Sequence, residues 1–370
     1  MKVFLISINS DKENTGGGIY LRTLKTLYER NGYKIHIFSK DCDLYKVKKN
    51  ILTDLVGRLL LCPSYIGYYI FHILIFSRNF NTIAIHSTRL GIIARVIKLI
   101  HPEKCIIVHS DNVESALIRE LRSKKSLAKT ILMFIDKLLM PLSEKYCGKY
   151  SDKMTFITEE DKSQSLKYNL IPTSNKYITL PVLLKKQKLK ELEKDNSVLF
   201  TGSFDFYPNQ HAFMRLINLA NANVNTKFVA AGRYLSKYIE RGQIKLPSNM
   251  FIFSDISSDD MELLYRKAIL FICPVSYGSG MKTKIAEALS YDLYVIADER
   301  STFGYQAAVT NRVLYKQSSD FFDFCEIGQL EKIIENLKNT SNSCSITPYV
   351  VFEKYYSIDS GMNIFGRLLQ

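Results

Sequence analysis

The segment richest in chemistry is Pro274–Ser290, PVSYGSGMKTKIAEALS, which directly follows the apolar run ILFIC. Gly278, Ser279 and Gly280 form a turn that ends a buried strand and feeds a helix, and the free amides and dipole at such a helix start suit a phosphate group. Lys282 and Lys284 put cations in the first turn, where positive charge is unfavourable for the helix unless an anion lies close. Glu287 shares a face with Lys284 and can accept hydrogen bonds from sugar or ribose hydroxyls. Local physics alone leaves a second reading open, a solvated helix start with an ordinary Lys284–Glu287 pair.

Three further clusters carry candidate chemistry. Thr15-Gly16-Gly17-Gly18 lies between the first apolar run and the first helical pattern. Glycines at Gly16, Gly17 and Gly18 let backbone approach a ligand and offer amides to an oxyanion or sugar, although the spacing is not the G-x-G-x-x-G fingerprint. His109-Ser110-Asp111-Asn112-Val113-Glu114 follows the fourth apolar run and is expected to project from the carboxyl end of a sheet. There His109 or Asp111 could orient or deprotonate a hydroxyl, while Asp111 could equally cap the next helix. Asp41-Cys42-Asp43 spells a D-x-D metal pattern, but it stands among lysines and reads as a loop coincidence, so no essential metal is expected.

Positioning these residues requires a particular order of elements. Val3–Ile8, Lys34–Ser39, Thr82–His86 and Lys104–His109 are short β-branched runs separated by helix-length segments, followed by Met154–Thr158 and Tyr177–Leu180. Ile19–Arg30 puts Leu21, Leu24 and Leu27 on one helical face and stops at Asn31-Gly32. A second series runs through Ser197–Thr201, Lys227–Ala231, Met250–Phe253, Ile269–Cys273 and Leu293–Ala297. Alternating strands and helices predict parallel, doubly wound α/β sheets. The charged stretch Lys185–Asp195 reads as the linker between them.

A chain of 370 residues exceeds one ordinary core and suits two domains. Seven scattered cysteines with no C-x-x-C pair suggest neither a zinc site nor a disulfide framework and read as cytosolic thiols. Met1–Ser7 is expected to be a first strand, not a signal peptide. Leu59–Phe76 is apolar, but Pro63, Gly67 and His72 interrupt it, so a core or interface-lying helix is expected over a span. The formal charge of +14 sits entirely in the first half: up to Asp195 there are 33 Lys and Arg against 19 Asp and Glu, and from Asn196 there are 17 against 17. Such a field attracts a polyanion, whether nucleic acid, an anionic membrane surface or a phosphorylated lipid, or serves solubility alone.

The Pro274–Ser290 segment, followed by YDLYVIA, resembles the donor-binding signature G-x-G-x-x-x-K-x-x-E-A-L of family 4 GT-B glycosyltransferases. LFTGSFDFYPNQHAFMRLI (199–217) is similar to the family's G-S-x-x-x-x-P-N-x-x-A stretch, and VAAGRY (229–234) to its strand-then-Gly-Arg element. The resemblance implies two Rossmann-like domains facing each other across a cleft: an acceptor-binding domain over 1–182 and a nucleotide-sugar domain over 183–348, with the tail 349–370 crossing back. It implies that Lys284 neutralises the donor diphosphate, that the amides of Gly280 and Met281 hold its oxygens, and that Glu287 binds the ribose. Ser279 stands where many relatives carry an acidic residue, while Ser203 and Asn209 or Gln210 occupy the region of their basic pair, with Arg233 as compensation. Gly16–Gly18 would lie near the acceptor, and Asp111 replaces the usual histidine of an H-N-x-E element.

The implied reaction is sugar transfer with retention, metal-independent and without a protein nucleophile. The donor would be a nucleotide sugar, with UDP favoured over GDP. The acceptor would be a glycan or polyprenyl-diphosphate chain of O-antigen or capsule synthesis, on the cytoplasmic face of an anionic membrane. Alternatives are a sugar-nucleotide epimerase of the same fold and a basic nucleic-acid-binding protein; no nucleic-acid signature accompanies the charge, and no nucleic-acid partner is expected.

Overall fold

Apolar runs without polar alternation must be covered on both faces, which parallel sheets wrapped in helices achieve. The computed structural model describes residues 1–13, 15–40, 42, 45–120, 127–173, 176–187, 192–278, 280–341 and 346–369. Its chain forms two units, residues 1–183 with 361–370, and residues 184–360.

In the first unit the order is β1 (Lys2–Ser7), α1 (Gly16–Arg30), β2 (Lys34–Phe38), α2 (Ile51–Leu59), a 3-10 turn (Tyr65–Tyr69), α3 (Ile70–Ser77), β3 (Thr82–His86), α4 (Gly91–Ile100), β4 (Cys105–Ser110), α5 (Glu114–Glu120), α6 (Leu127–Tyr150), β5 (Lys153–Phe156), α7 (Glu159–Lys167) and β6 (Tyr177–Thr179). The six parallel strands lie in the order β2-β1-β3-β4-β5-β6. Phe4, Ile6, Ile83, Ile85, Ile106 and Val108 form the buried middle of this sheet.

The second unit holds β7 (Ser197–Thr201), α8 (Tyr207–Ala222), β8 (Lys227–Gly232), α9 (Leu235–Gly242), β9 (Met250–Ser254), α10 (Ser258–Lys267), β10 (Leu270–Cys273), α11 (Thr283–Ser290), β11 (Tyr294–Asp298), α12 (Gln306–Thr310), β12 (Leu314–Gln317), α13 (Ser319–Asp323), α14 (Gln329–Ser341) and α15 (Pro348–Tyr355). Its strand order is β12-β11-β10-β7-β8-β9, again all parallel. The last helix, α16 (Ile358–Leu369), begins in this unit and joins the first from Gly361 on, where Phe365 packs on Tyr28 and His109. The strand β12 has no counterpart in the apolar runs of the sequence, because LYKQ is an edge strand with only one face covered.

In both sheets the strand order reverses once, between β1 and β3 and between β7 and β10. Connections leave such a point in opposite directions, opening a crevice at the carboxyl ends of the two strands. The crevice ends are Ser7 and His86 in one unit, Thr201 and Cys273 in the other.

Beneath the second crevice Arg215 of α8 is buried with Asp298 at the end of β11 (2.9 Å) and bonds Asp323 and the Pro274 carbonyl. This ties α8 to the strand ends from which the Gly278–Gly280 loop departs. Gly232 ends β8 at φ +148°, and a methyl there would overlap the Gly202 carbonyl, so two loop backbones touch where only glycine fits.

Candidate active site

In the second unit the loop after β10 turns on Gly278 (φ +85°) and Gly280 (φ +73°) before α11 begins at Thr283. Lys282 donates from its amine to the carbonyls of Gly278 (2.9 Å) and Gly280 (3.3 Å), so one of the two lysines is committed to holding the turn. Tyr305, fully buried, braces the same place by donating to the Lys282 carbonyl (2.9 Å) and accepting from the Ala286 amide.

Lys284 is different. Its amine donates to the Thr201 carbonyl (2.6 Å) at the end of β7 and to Asn209 Oδ1 (2.8 Å) on α8, and lies 4.7 Å from the centre of the Phe200 ring. Both hydrogen-bond partners are neutral. Burial disfavours the cation and brings the Lys284 pKa from 10.5 to about 8, although nearby Cys273 and Glu287 oppose the fall. Asn209 is oriented for this contact by donating to the Ser203 carbonyl (2.9 Å).

Glu287, one turn along α11, is not paired with Lys284; its Oε2 accepts from the buried Tyr265 hydroxyl (3.0 Å), which also meets Thr201 Oγ1 (2.8 Å). Burial pushes the Glu287 pKa up, against the lowering effects of Tyr265 and Lys284. The simple i,i+3 ion pair is thereby corrected: each side chain faces a different neutral group across the β7–β10 crevice. Met281 is buried. Arg233 is exposed immediately after Gly232, and its carbonyl accepts from Phe204. Ser279 lies outside the described residues, as do Asp41 and Asp43. Among the described residues no three His, Cys, Asp or Glu side chains stand together as metal ligands.

In the first unit, the glycines expected to be loop are the opening of α1, because Thr15 caps the helix by accepting from the Gly18 amide (3.2 Å). A methyl at Gly18 would overlap the Glu13 carbonyl, while Gly16 faces open space. His109 is a core residue. Its Nδ1 meets Thr155 Oγ1 (2.9 Å), its Nε2 meets the Tyr28 hydroxyl (3.0 Å), and its ring stacks on Phe365. Burial lowers its pKa to about 3, so it is neutral, with both nitrogens engaged.

Asp111 does not cap α5, which starts at Glu114. Its Oδ2 lies 3.7 Å from Nε2 of the buried His86, and its Oδ1 is buried without a hydrogen-bond partner. His86 Nδ1 in turn meets Ser7 Oγ (2.9 Å), across the β1–β3 switch point. Ser87, the next residue, holds φ +93°, a strained conformation for a residue with a side chain.

Sequence reasoning missed His86, Tyr265 and His211. His86 stands in register with His109 on the neighbouring strand, and it ends the apolar run TIAIH as His109 ends its own, which is the signal that could have found it. Tyr265 left none, because its partner Glu287 is 22 residues away. His211 packs edge-on against Tyr277 (4.9 Å), beside the glycine turn, with Nδ1 buried and unbonded.

Two parallel doubly wound units, with a cation and a carboxyl gathered at the second switch point, have the architecture of the GT-B glycosyltransferases. Residues 195–322, most of the second unit, match the family model described as "Glycosyl transferases group 1". The fold likeness spans the whole chain. Sucrose-phosphate synthase from Thermosynechococcus elongatus shares 10% identity at TM-score 0.67, covering 100% of this chain and 98% of that one. Anabaena HepE, solved with UDP and glucose, shares 11% at TM-score 0.66, covering 100% and 99%. Starch synthase IV from Arabidopsis thaliana, bound to ADP and acarbose, shares 12% at TM-score 0.66, covering 99% and 98%. A search of curated proteins gives no match.

Proposed function

We propose that this chain transfers a sugar, with retention, from a nucleotide-sugar donor to a glycan or polyprenyl-diphosphate-linked acceptor of a bacterial surface polysaccharide. The observation that carries the reading is Lys284, an amine held at a switch point by two neutral oxygens, beside a glycine turn and a helix start. A diphosphate in that crevice would set an anion beside the amine and restore the cation's ordinary basicity. In this reading the amides of Gly280 and Met281 bind the same oxygens, Asn209 sets the lysine, and Glu287, oriented by Tyr265, takes the ribose hydroxyls. Ser279 and Arg233 are assigned to the donor side as well.

A UDP-sugar is the favoured donor: HepE was solved with UDP and glucose. As the bond from the anomeric carbon to the diphosphate oxygen breaks, the bond from the acceptor oxygen forms on the same face, and the departing phosphate takes the acceptor's proton. Lys284 stabilises the charge that develops on the leaving group. The first unit, with Gly16–Gly18 at a helix start and Asp111 beside His86, supplies the acceptor side. Asp111 orients the incoming hydroxyl, and His86, fixed by Ser7, positions that carboxylate. The basic first half suits work at the cytoplasmic face of an anionic membrane.

The test is a thermal-shift screen with UDP, GDP, CMP and their sugar conjugates, since a ligand of the native state alone raises the melting temperature. One nucleotide should give a shift that K284A abolishes, and no shift from any nucleotide overturns the reading. Turnover of free donor to an isomer without acceptor would replace it with the epimerase.

A further inference from the structure

The helix α2 has its polarity inside out. It buries Thr53 and Gly57 and exposes Ile51 (79%), Leu52, Leu55 and Leu59 (80%), positions that fall on one side of an α-helix. Leu60 and Leu61 continue the exposure, so three consecutive leucines face solvent at its end. The adjoining 3-10 turn and α3 add a second stripe, Tyr68, Phe71 (71%) and Ile75, again three and four residues apart.

This exposure belongs to a firmly held segment. Asn50 and Thr53 cap α2 reciprocally, and Arg58 forms a two-pronged ion pair with Asp136 of α6 (2.8 and 2.9 Å). Gly57 packs against the Ser64 carbonyl. An anchored element that presents leucine to water and turns threonine inward marks an interaction surface.

Charge identifies the occupant. Lys46, Lys48 and Lys49 precede α2 and are exposed, and Arg78 is exposed just after α3. The Tyr69 hydroxyl bonds both backbone groups of Lys48 (2.8 and 3.2 Å), and the Lys49 amine lies over the Tyr65 ring, so the basic stretch is fastened beside the apolar one. The one acidic residue from 45 to 80 is Asp54, which is paired with Arg58. No helix of the described residues is long and apolar enough to cross a membrane. A basic rim around an apolar stripe matches a bilayer with anionic headgroups, where leucines sink to the acyl boundary and lysines stay among the phosphates.

We propose that α2 and α3 form a monotopic membrane-docking face, with Ile51, Leu52, Leu55 and Leu59 inserted and Lys46, Lys48, Lys49 and Arg78 on the headgroups. This rests on the reading that the protein works at an anionic membrane, and it names the surface responsible.

The experiment is co-sedimentation of the full chain with vesicles of equal parts phosphatidylcholine and phosphatidylglycerol, compared with phosphatidylcholine alone. The triple variant L52E/L55E/L59E should lose binding by about tenfold or more per leucine. K48Q/K49Q should lose about fivefold per charge, mostly at low salt. A parallel F71E/I75E variant reads the second stripe. Nucleotide thermal shifts should be unchanged in all three, which shows that the variants fold. Wild-type binding that survives in the triple variant overturns this assignment while leaving the membrane reading intact. Wild-type protein that ignores anionic vesicles at low salt overturns both. A self-association that the triple variant abolishes, without vesicle binding, would replace the bilayer with a second copy of the chain.

Discussion

Lys284 permits a prediction that can be worked through from its surroundings. Its amine faces two neutral oxygens, and burial sets its pKa near 8 instead of 10.5. The charged form is therefore disfavoured in the folded protein, a cost fully present below about pH 8 and relieved as pH rises from there towards 10.5. A diphosphate placed beside the amine returns the pKa to its ordinary range, so binding takes up one proton between those limits. The gap from 10.5 to about 8 corresponds to a factor of roughly 300 in affinity, about 3 kcal/mol. Affinity for UDP should be flat below pH 8 and fall towards tenfold per pH unit above it. Calorimetric titration with UDP from pH 7 to 9.5, in two buffers of different ionisation heat, measures both the slope and the proton count. K284R, whose side chain stays charged, carries any titration of the nucleotide itself and should lack the lysine's contribution. K284M should bind weakly and without that slope. Equal slopes in wild type and K284M would refute the argument, because the titrating group would then be elsewhere.

Three other substitutions test the remaining assignments. Buried neutral His109, with a pKa lowered to about 3, favours the folded state above pH 6.5 and loses that contribution as pH falls through 6.5 towards 3, by up to about 1.4 kcal/mol per pH unit. H109Q should flatten the acid limb of urea-denaturation stability between pH 6.5 and 4 and leave turnover per folded molecule within about threefold, whereas D111N should cut turnover about a hundredfold at unchanged UDP affinity. R215A strands the carboxylate of Asp298 in the interior and should cost about 3 to 5 kcal/mol in urea denaturation; a loss below about 1 kcal/mol would contradict the buried pair.

Much of the architecture could be read from the chain itself, and the reason is periodicity. Runs such as VFLISI and SVLFT have no polar alternation, which only strands covered on both faces satisfy, and their spacing leaves room for one helix each. The glycine turn and helix start that follow ILFIC and carry Lys284 and Glu287 could be read as well, because that placement is local and short-range. Boundaries set by caps were less visible: Thr15 draws Gly16–Gly18 into α1, a choice made by one hydroxyl.

What tertiary structure alone decided is which of several similar residues is spent on the fold. Lys282 and Lys284 are two residues apart and alike in sequence, yet one amine closes its own turn and the other reaches β7, 83 positions away. His109 and His86 end neighbouring strands, but the packing of Tyr28, Thr155 and Phe365 seals the first, while the second meets Asp111 at the switch point. The exposure of Leu52, Leu55 and Leu59 was likewise hidden, since an apolar stripe looks the same whether a core covers it or not. Local pattern reports what a side chain can do; the long-range register of parallel strands determines which partner it meets.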